Sequence, residues 1–155
     1  MPTVVARIVE VVVFRFRNDR PEFLVLKRAP EEHVYPGIWQ VLTGTIRSEE
    51  SALAAAQREL IEETGLSATA FWVVPYTASF YVPHTDELQC SLFFAAQVGG
   101  TDDPTLSHEH CAWEWLSLEG VLERLVWPGQ KDGLRAAHDS IVLGAPVAQL
   151  NRLSP

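Results

Sequence analysis

The chain has 155 residues, 47% hydrophobic and 21% charged, which is ordinary globular material and long enough to bury a core in a single domain, 1–155. Twelve basic against 20 acidic side chains leave a net charge of −8, which disfavours a nucleic-acid-binding surface and repels a polyphosphate unless placed cations reverse the local field. Cys90 and Cys111 are too few and too far apart for a zinc motif or a disulfide framework, and read as reduced thiols of a cytoplasmic protein.

The apolar amino terminus, Val4 to Phe14, is interrupted by Arg7 and Glu10 and is followed by no small-residue cleavage site. Neither a signal peptide nor a membrane span is expected. Arg7 to Phe16 is rich in Val and Phe and reads as a strand, Asn18 to Pro21 as a turn, and Phe23 to Arg28 as the returning strand of a hairpin. A loop of turn chemistry, Ala29 to Gly37, leads into a short strand, Ile38 to Leu42. Trp39 has a ring that can stack on a base or a pterin, but an aromatic in a short strand is more often core, and core is the expectation.

Ser51 to Thr64 holds no Pro or Gly, is rich in Ala, Leu, Glu, Gln and Arg, and stops at Gly65. It reads as one helix. At ~100° per residue, Glu59, Glu62 and Glu63 fall within an arc of roughly 100°. Like charges at these spacings cost a few tenths of a kcal/mol per pair, and Arg58 neutralises only part of the cluster. Oxygen donors without Cys or His suit a hard divalent cation, Mg²⁺ or Mn²⁺, while a solvated acidic face is the bland alternative.

Two long strands follow, Thr69 to Tyr81 and Leu88 to Val98, with Pro75 at a bend or bulge and His84 and Asp86 at the loop tip. After a loop from Gly99 to His108, Cys111 to Leu116 alternates into another strand. The intervening Ser107-His108-Glu109-His110 is not read as a zinc site, because adjacent strand residues point to opposite faces and no third ligand is spaced to join them. Ser117 suits an N-cap for a helix over Leu118 to Leu125. A last helix is expected over Gln130 to Leu143, with Leu134, Ala137 and Ile141 on its apolar stripe and His138 at the core edge, then a tail from Ala145 to Pro155.

Gly44, five residues, Glu50, seven residues, then Arg58-Glu59-Leu60-Ile61-Glu62-Glu63-Thr64-Gly65-Leu66 resembles the complete Nudix box, nine constrained positions within 23 residues. The resemblance implies an α/β/α sandwich around a mixed sheet, of the α+β kind. It implies a metal-dependent hydrolase of a diphosphate linked to another moiety, with Mg²⁺ or Mn²⁺ held by the Gly44 carbonyl, Glu59, Glu63 and Glu62, the last as ligand or water activator. Arg58 and Glu50 would position those glutamates. Glu109, just before a strand, would ligate or orient the attacking water, with a solvated loop carboxylate as the alternative. Arg28, more than Lys27, would contact phosphate, since its fork matches phosphate oxygens.

The sequence departs from the family pattern at Leu42-Thr43-Gly44, less glycine-rich than usual, and at Glu49, where a glycine is common and a side chain resists positive φ. Thr-Gly at this point, and the segment from Glu109 through Trp127 and Gln130, look like the dihydroneopterin triphosphate pyrophosphatases. A nucleoside triphosphate or dihydroneopterin triphosphate is therefore the first expectation for substrate. Dinucleoside polyphosphates, ADP-ribose and a non-catalytic nucleotide-binding module stay open. Family members often pair, which allows a homodimer, and the sequence itself is silent on it.

Overall fold

The computed structural model describes residues 1–154. Strand β1 (Thr3–Arg17) is longer than its apolar run suggests, because both of its flanks find partners. It turns through Asn18 and Asp19, both at positive φ, into β2 (Arg20–Arg28). Two left-handed residues in a two-residue loop give the turn whose twist matches antiparallel strands.

The single strand expected over 38–42 is instead two. Strand β3 (Trp39–Gln40) pairs with β2, whereas β4 (Leu42–Thr45) pairs with β1 and sets Gly44 opposite Val9. The chain changes partner at Val41, which is fully buried. Helix α1 (Ala52–Thr64) follows, and then the long hairpin of β5 (Ala70–Val82) and β6 (Glu87–Gln97). Its register shifts between Val73 and Thr77, around Pro75, where the sequence suggested a bulge.

β6 runs parallel to β1 over its full length, and every other pairing is antiparallel. β7 (His110–Leu116) pairs with β2, so the eight strands among the described residues form one mixed sheet. Alternation along β1 divides its side chains between two cores. Val9, Val11 and Val13 face α1 through Ala55, Ala56 and Leu60. Val12 and Phe14 face the other side, where α2 (Leu118–Arg124) and α3 (Pro128–Ala137) pack through Val121, Leu134 and Ala137.

Ser117 caps α2, its Oγ accepting the Gly120 N–H at 3.2 Å. The last helix starts earlier than expected, because Pro128 at its first turn has no N–H to satisfy. It then widens into a π turn over His138–Val142, where the Leu143 N–H reaches the His138 carbonyl, and ends at Gly144 with φ +70°. His138 lies at the core edge, its ring 6.1 Å from that of Phe23. The stretch read as a tail carries helix α4 (Pro146–Leu150) and strand β8 (Arg152–Leu153), which pairs with the outer edge of β5. No helix among the described residues is long and apolar enough to cross a membrane.

Candidate metal and catalytic site

Helix α1 is fixed at both ends by its own sequence. Ser51 Oγ accepts the Ala54 N–H at 3.1 Å, and Gly65 at φ +66° returns its N–H to the Ile61 carbonyl. The last two carbonyls of the helix are met by the segment before β7: Thr105 N–H bonds the Thr64 carbonyl at 2.8 Å and Ser107 N–H the Glu63 carbonyl at 3.3 Å. This places Glu59 and Glu63 in the helix–sheet seam, both buried, while Glu62 is half-exposed.

Gly44 lies directly beneath Glu59. A Cβ at residue 44 would fall 2.2 Å from Glu59 Cγ, so only glycine lets the backbone approach the carboxylate this closely. Arg58 forks onto Glu50 at 2.7 and 2.9 Å, holding that carboxyl down to about 2. The same guanidinium reaches Glu59 at 2.7 Å, Glu62 at 3.0 Å and the Thr45 carbonyl at 3.0 Å. Arg47 adds a second partner for Glu62 at 3.2 Å. The 45–50 loop closes with Glu49 at φ +63°; the backbone takes the left-handed turn although the residue is not glycine.

Two neighbouring carboxylates are pushed in opposite directions. Burial raises the Glu59 carboxyl, which Arg58 only partly offsets and which the charges of Glu63 and Glu62 reinforce. Burial would raise Glu63 too, but hydrogen bonds from His110 and Ser107 outweigh it and hold that carboxyl below its usual range. Ser107 Oγ and His110 Nδ1, the latter at 3.2 Å, both meet Glu63 Oε2.

The site suits a hard cation by its donors. The carboxylates of Glu59, Glu62 and Glu63 and the Gly44 carbonyl supply oxygen only, and Glu59 carries a desolvation cost that a dication offsets. Among the described residues, no three His, Cys, Asp or Glu side chains are gathered into a chelating cluster; Arg58 holds the position between Glu59 and Glu62.

The chain matches the NUDIX domain over residues 6–137. It belongs to the NUDIX family. With the family comes the reaction class, hydrolysis of phosphoanhydride bonds. A dihydroneopterin triphosphate diphosphatase of Haemophilus influenzae is 30% identical over 126 residues, 73% of this chain and 76% of that protein. An octanoyltransferase of Myxococcus xanthus is 35% identical over 133 residues, 84% of this chain but 36% of that protein, so this chain spans little more than a third of that relative. The solved structure of a Caenorhabditis elegans Ap4A hydrolase binary complex aligns with a TM-score of 0.73 at 23% identity, covering 87% of this chain and 96% of that one, which speaks to the fold.

In this NUDIX chain the remaining expected site residues come from outside the box, on β2, on β3 and just before β7. Arg28 is committed to its own loop, its Nε donating to the Val34 carbonyl at 2.8 Å and its Nη2 pairing with Glu32 at 3.3 Å. Trp39 is half-buried against the core on the α2 and α3 side, with Lys27 Nζ 6.0 Å and Arg124 Cζ 5.0 Å from its ring. Glu109 is half-buried two residues from Ser107, and its carboxylate has no hydrogen-bond or ion-pair partner among the described residues.

Sequence reading missed Ser107, His110 and Gln40 as parts of the site. His110 was weighed only as a zinc ligand, on the assumption of regular alternation. The register breaks between Lys27 and Arg28 of β2, which face Ala112 and His110, leaving Cys111 as an extra residue in β7. Trp113 and Trp115 point to the α1 side, so regular alternation would send His110 to the other face. The bulge at Cys111 turns it back toward Glu63.

Proposed function

We propose that this chain is a divalent-metal-dependent pyrophosphohydrolase that converts a nucleoside triphosphate or dihydroneopterin triphosphate to the monophosphate and pyrophosphate. The observation that carries this reading is the pair Glu59 and Glu63, one helical turn apart beside Gly44 and held in opposite protonation environments. A buried carboxyl that its one guanidinium partner does not fully compensate, beside a second one held ionised, is a set of oxygen donors that a dication completes.

The Gly44 carbonyl, Glu59, Glu62 and Glu63 hold the cation, with Mg²⁺ first and Mn²⁺ second. When bound, it neutralises phosphate charge and lowers the pKa of a water that it carries. Glu63 stays ionised and anchored through Oε2. Arg58 and Glu50 fix the base of the helix face. Glu109, unpartnered beside this region, orients the attacking water. Arg28, Lys27 and Trp39, on β2 and β3 outside the box, are candidate contacts for the rest of the substrate. At a net charge of −8, attraction for a polyphosphate comes from the cation and these few basic groups. Cys90 and Cys111 are free, which suits the reducing cytoplasm.

The substrate reading is supported by the similarity to the dihydroneopterin triphosphate diphosphatase and by the stretch from Glu109 through Gln130. The test is incubation with Mg²⁺ and a panel of nucleoside triphosphates, dihydroneopterin triphosphate, ADP-ribose, dinucleoside polyphosphates and 5′-triphosphorylated RNA, with pyrophosphate and phosphate assayed separately. Pyrophosphate released from one small triphosphate is the expected result. Turnover of another class alone reassigns the substrate, and binding without turnover makes the chain a nucleotide-binding module.

A further inference from the structure

We propose that Gln40 and His110 are positioning residues that act through Glu63: Gln40 fixes the tautomer of His110, and His110 in turn fixes which Glu63 oxygen is free. The inference rests on the reading of Glu63 as a metal-holding carboxylate. It goes beyond that reading by placing the control of Glu63 on two strands outside the box.

With the Gln40 amide turned as it stands, its nitrogen toward the ring, the donors and acceptors give one assignment. Gln40 Nε2 lies 3.0 Å from His110 Nε2. An amide nitrogen only donates, so the ring Nε2 must accept and carries no proton. The proton of the neutral ring is then on Nδ1, which lies 3.2 Å from Glu63 Oε2 and donates to it. Ser107 supplies the second donor to the same oxygen, while its own Oγ accepts the Glu109 N–H at 3.3 Å.

Both donors converge on Oε2. Oε1 has no hydrogen-bond partner among the described residues, so it is the oxygen presented to a cation. The His110 side chain is fully buried, and Gln40 is nearly so; water does not compete for either nitrogen.

Three elements must agree for this relay to form. Gln40 pairs with Leu26 on the α1 side of β3, the Cys111 bulge turns His110 to the same side, and α1 brings Glu63 down onto it. A histidine used only for packing would need neither the bulge nor an amide at its far nitrogen. Hydrogen-bonded partners of metal ligands typically contribute about 10- to 100-fold in affinity.

The test combines ¹⁵N NMR of histidine-labelled, metal-free protein with Mn²⁺ titration followed by EPR. Wild-type His110 is expected to show a protonated Nδ1 and a bare Nε2. Gln40→Leu removes the donor that holds Nε2 bare, and should move the ring toward the Nε2–H tautomer and weaken Mn²⁺ binding about 10-fold or more. His110→Leu should weaken it about as much, whereas His110→Asn, which offers an N–H near the Nδ1 position, should stay within a few-fold. An Nε2–H or doubly protonated ring in the wild type would overturn the proposal. So would a folded His110→Leu protein that binds Mn²⁺ as tightly as the wild type. If the wild type binds no Mn²⁺, the metal reading fails, and the tautomer spectrum still decides the relay.

Discussion

Glu62 and Glu63 are adjacent in sequence but live in different surroundings, one half-exposed between Arg47 and Arg58, the other buried against Ser107 and His110. Replacing either with Gln removes a charge from the proposed cation site at nearly constant volume. Turnover of the substrate found in the panel should fall by more than about 10²-fold for each, with thermal unfolding showing that the fold survives. Glu10 makes a separate prediction, because it is buried on the α2 and α3 side of β1 with Oε2 unpartnered. Burial pushes its carboxyl up from 4.5 to about 7, and the hydrogen bonds of Gln130 and Ser91 offset only part of that. The folded state therefore holds a proton that the unfolded chain releases. Stability falls as pH rises from about 4.5 to 7, and above that the loss is complete, at about 3 kcal/mol. Glu10→Gln should remove this slope: in denaturant melts it should match the wild type near pH 4.5 and exceed it by up to that amount at pH 8.

Among the elements, α1 was fully legible from sequence, because Ser51 and Gly65 mark its ends and the spacing of Glu59, Glu62 and Glu63 follows from helical geometry alone. The hairpin turn at Asn18-Asp19 and the Pro75 bulge were legible for the same reason, each being written in local residue chemistry. What escaped depends on distant partners. The break at Val41 comes from β3 and β4 choosing different neighbours, and nothing in Ile38 to Leu42 records that choice. The Cys111 bulge is a disagreement in register between β7 and β2, so the sequence holds no sign of the side to which His110 turns or of its contact with Glu63. The π turn at His138–Val142 carries residues that an ordinary α-helix would also accept. The bulge can be tested as an element: deleting Cys111 makes His110 the direct neighbour of Ala112, still opposite Arg28, so regular alternation should now keep His110 on the α1 side. The expected outcome is that the ¹⁵N signature of the Nδ1–H tautomer is retained; its loss would show that the pairing of His110 with Arg28 does not by itself set the face of the ring.

At the scale of the whole molecule, one strand belongs to everything. β1 pairs with β2, β4 and β6, and its two faces feed both cores. Its partnership with β2 is local, but the parallel seam with β6 joins residues 83 or 84 positions apart, from Phe14 with Gln97 to Thr3 with Glu87. That seam sets the tempo of folding. Closing so long a loop before any contact rewards it is an entropic barrier, so the transition state is expected to contain the seam, and refolding to occur in milliseconds to seconds rather than microseconds. Val12→Ala, in the seam opposite Ala95, should then slow refolding more than it speeds unfolding, as stopped-flow chevrons would show. On the ribosome the same feature imposes a wait. At about 5–20 residues per second, the β1–β2 hairpin emerges several seconds before β6 is synthesised, and through that interval the apolar edge of β1 has no partner of its own chain to cover it.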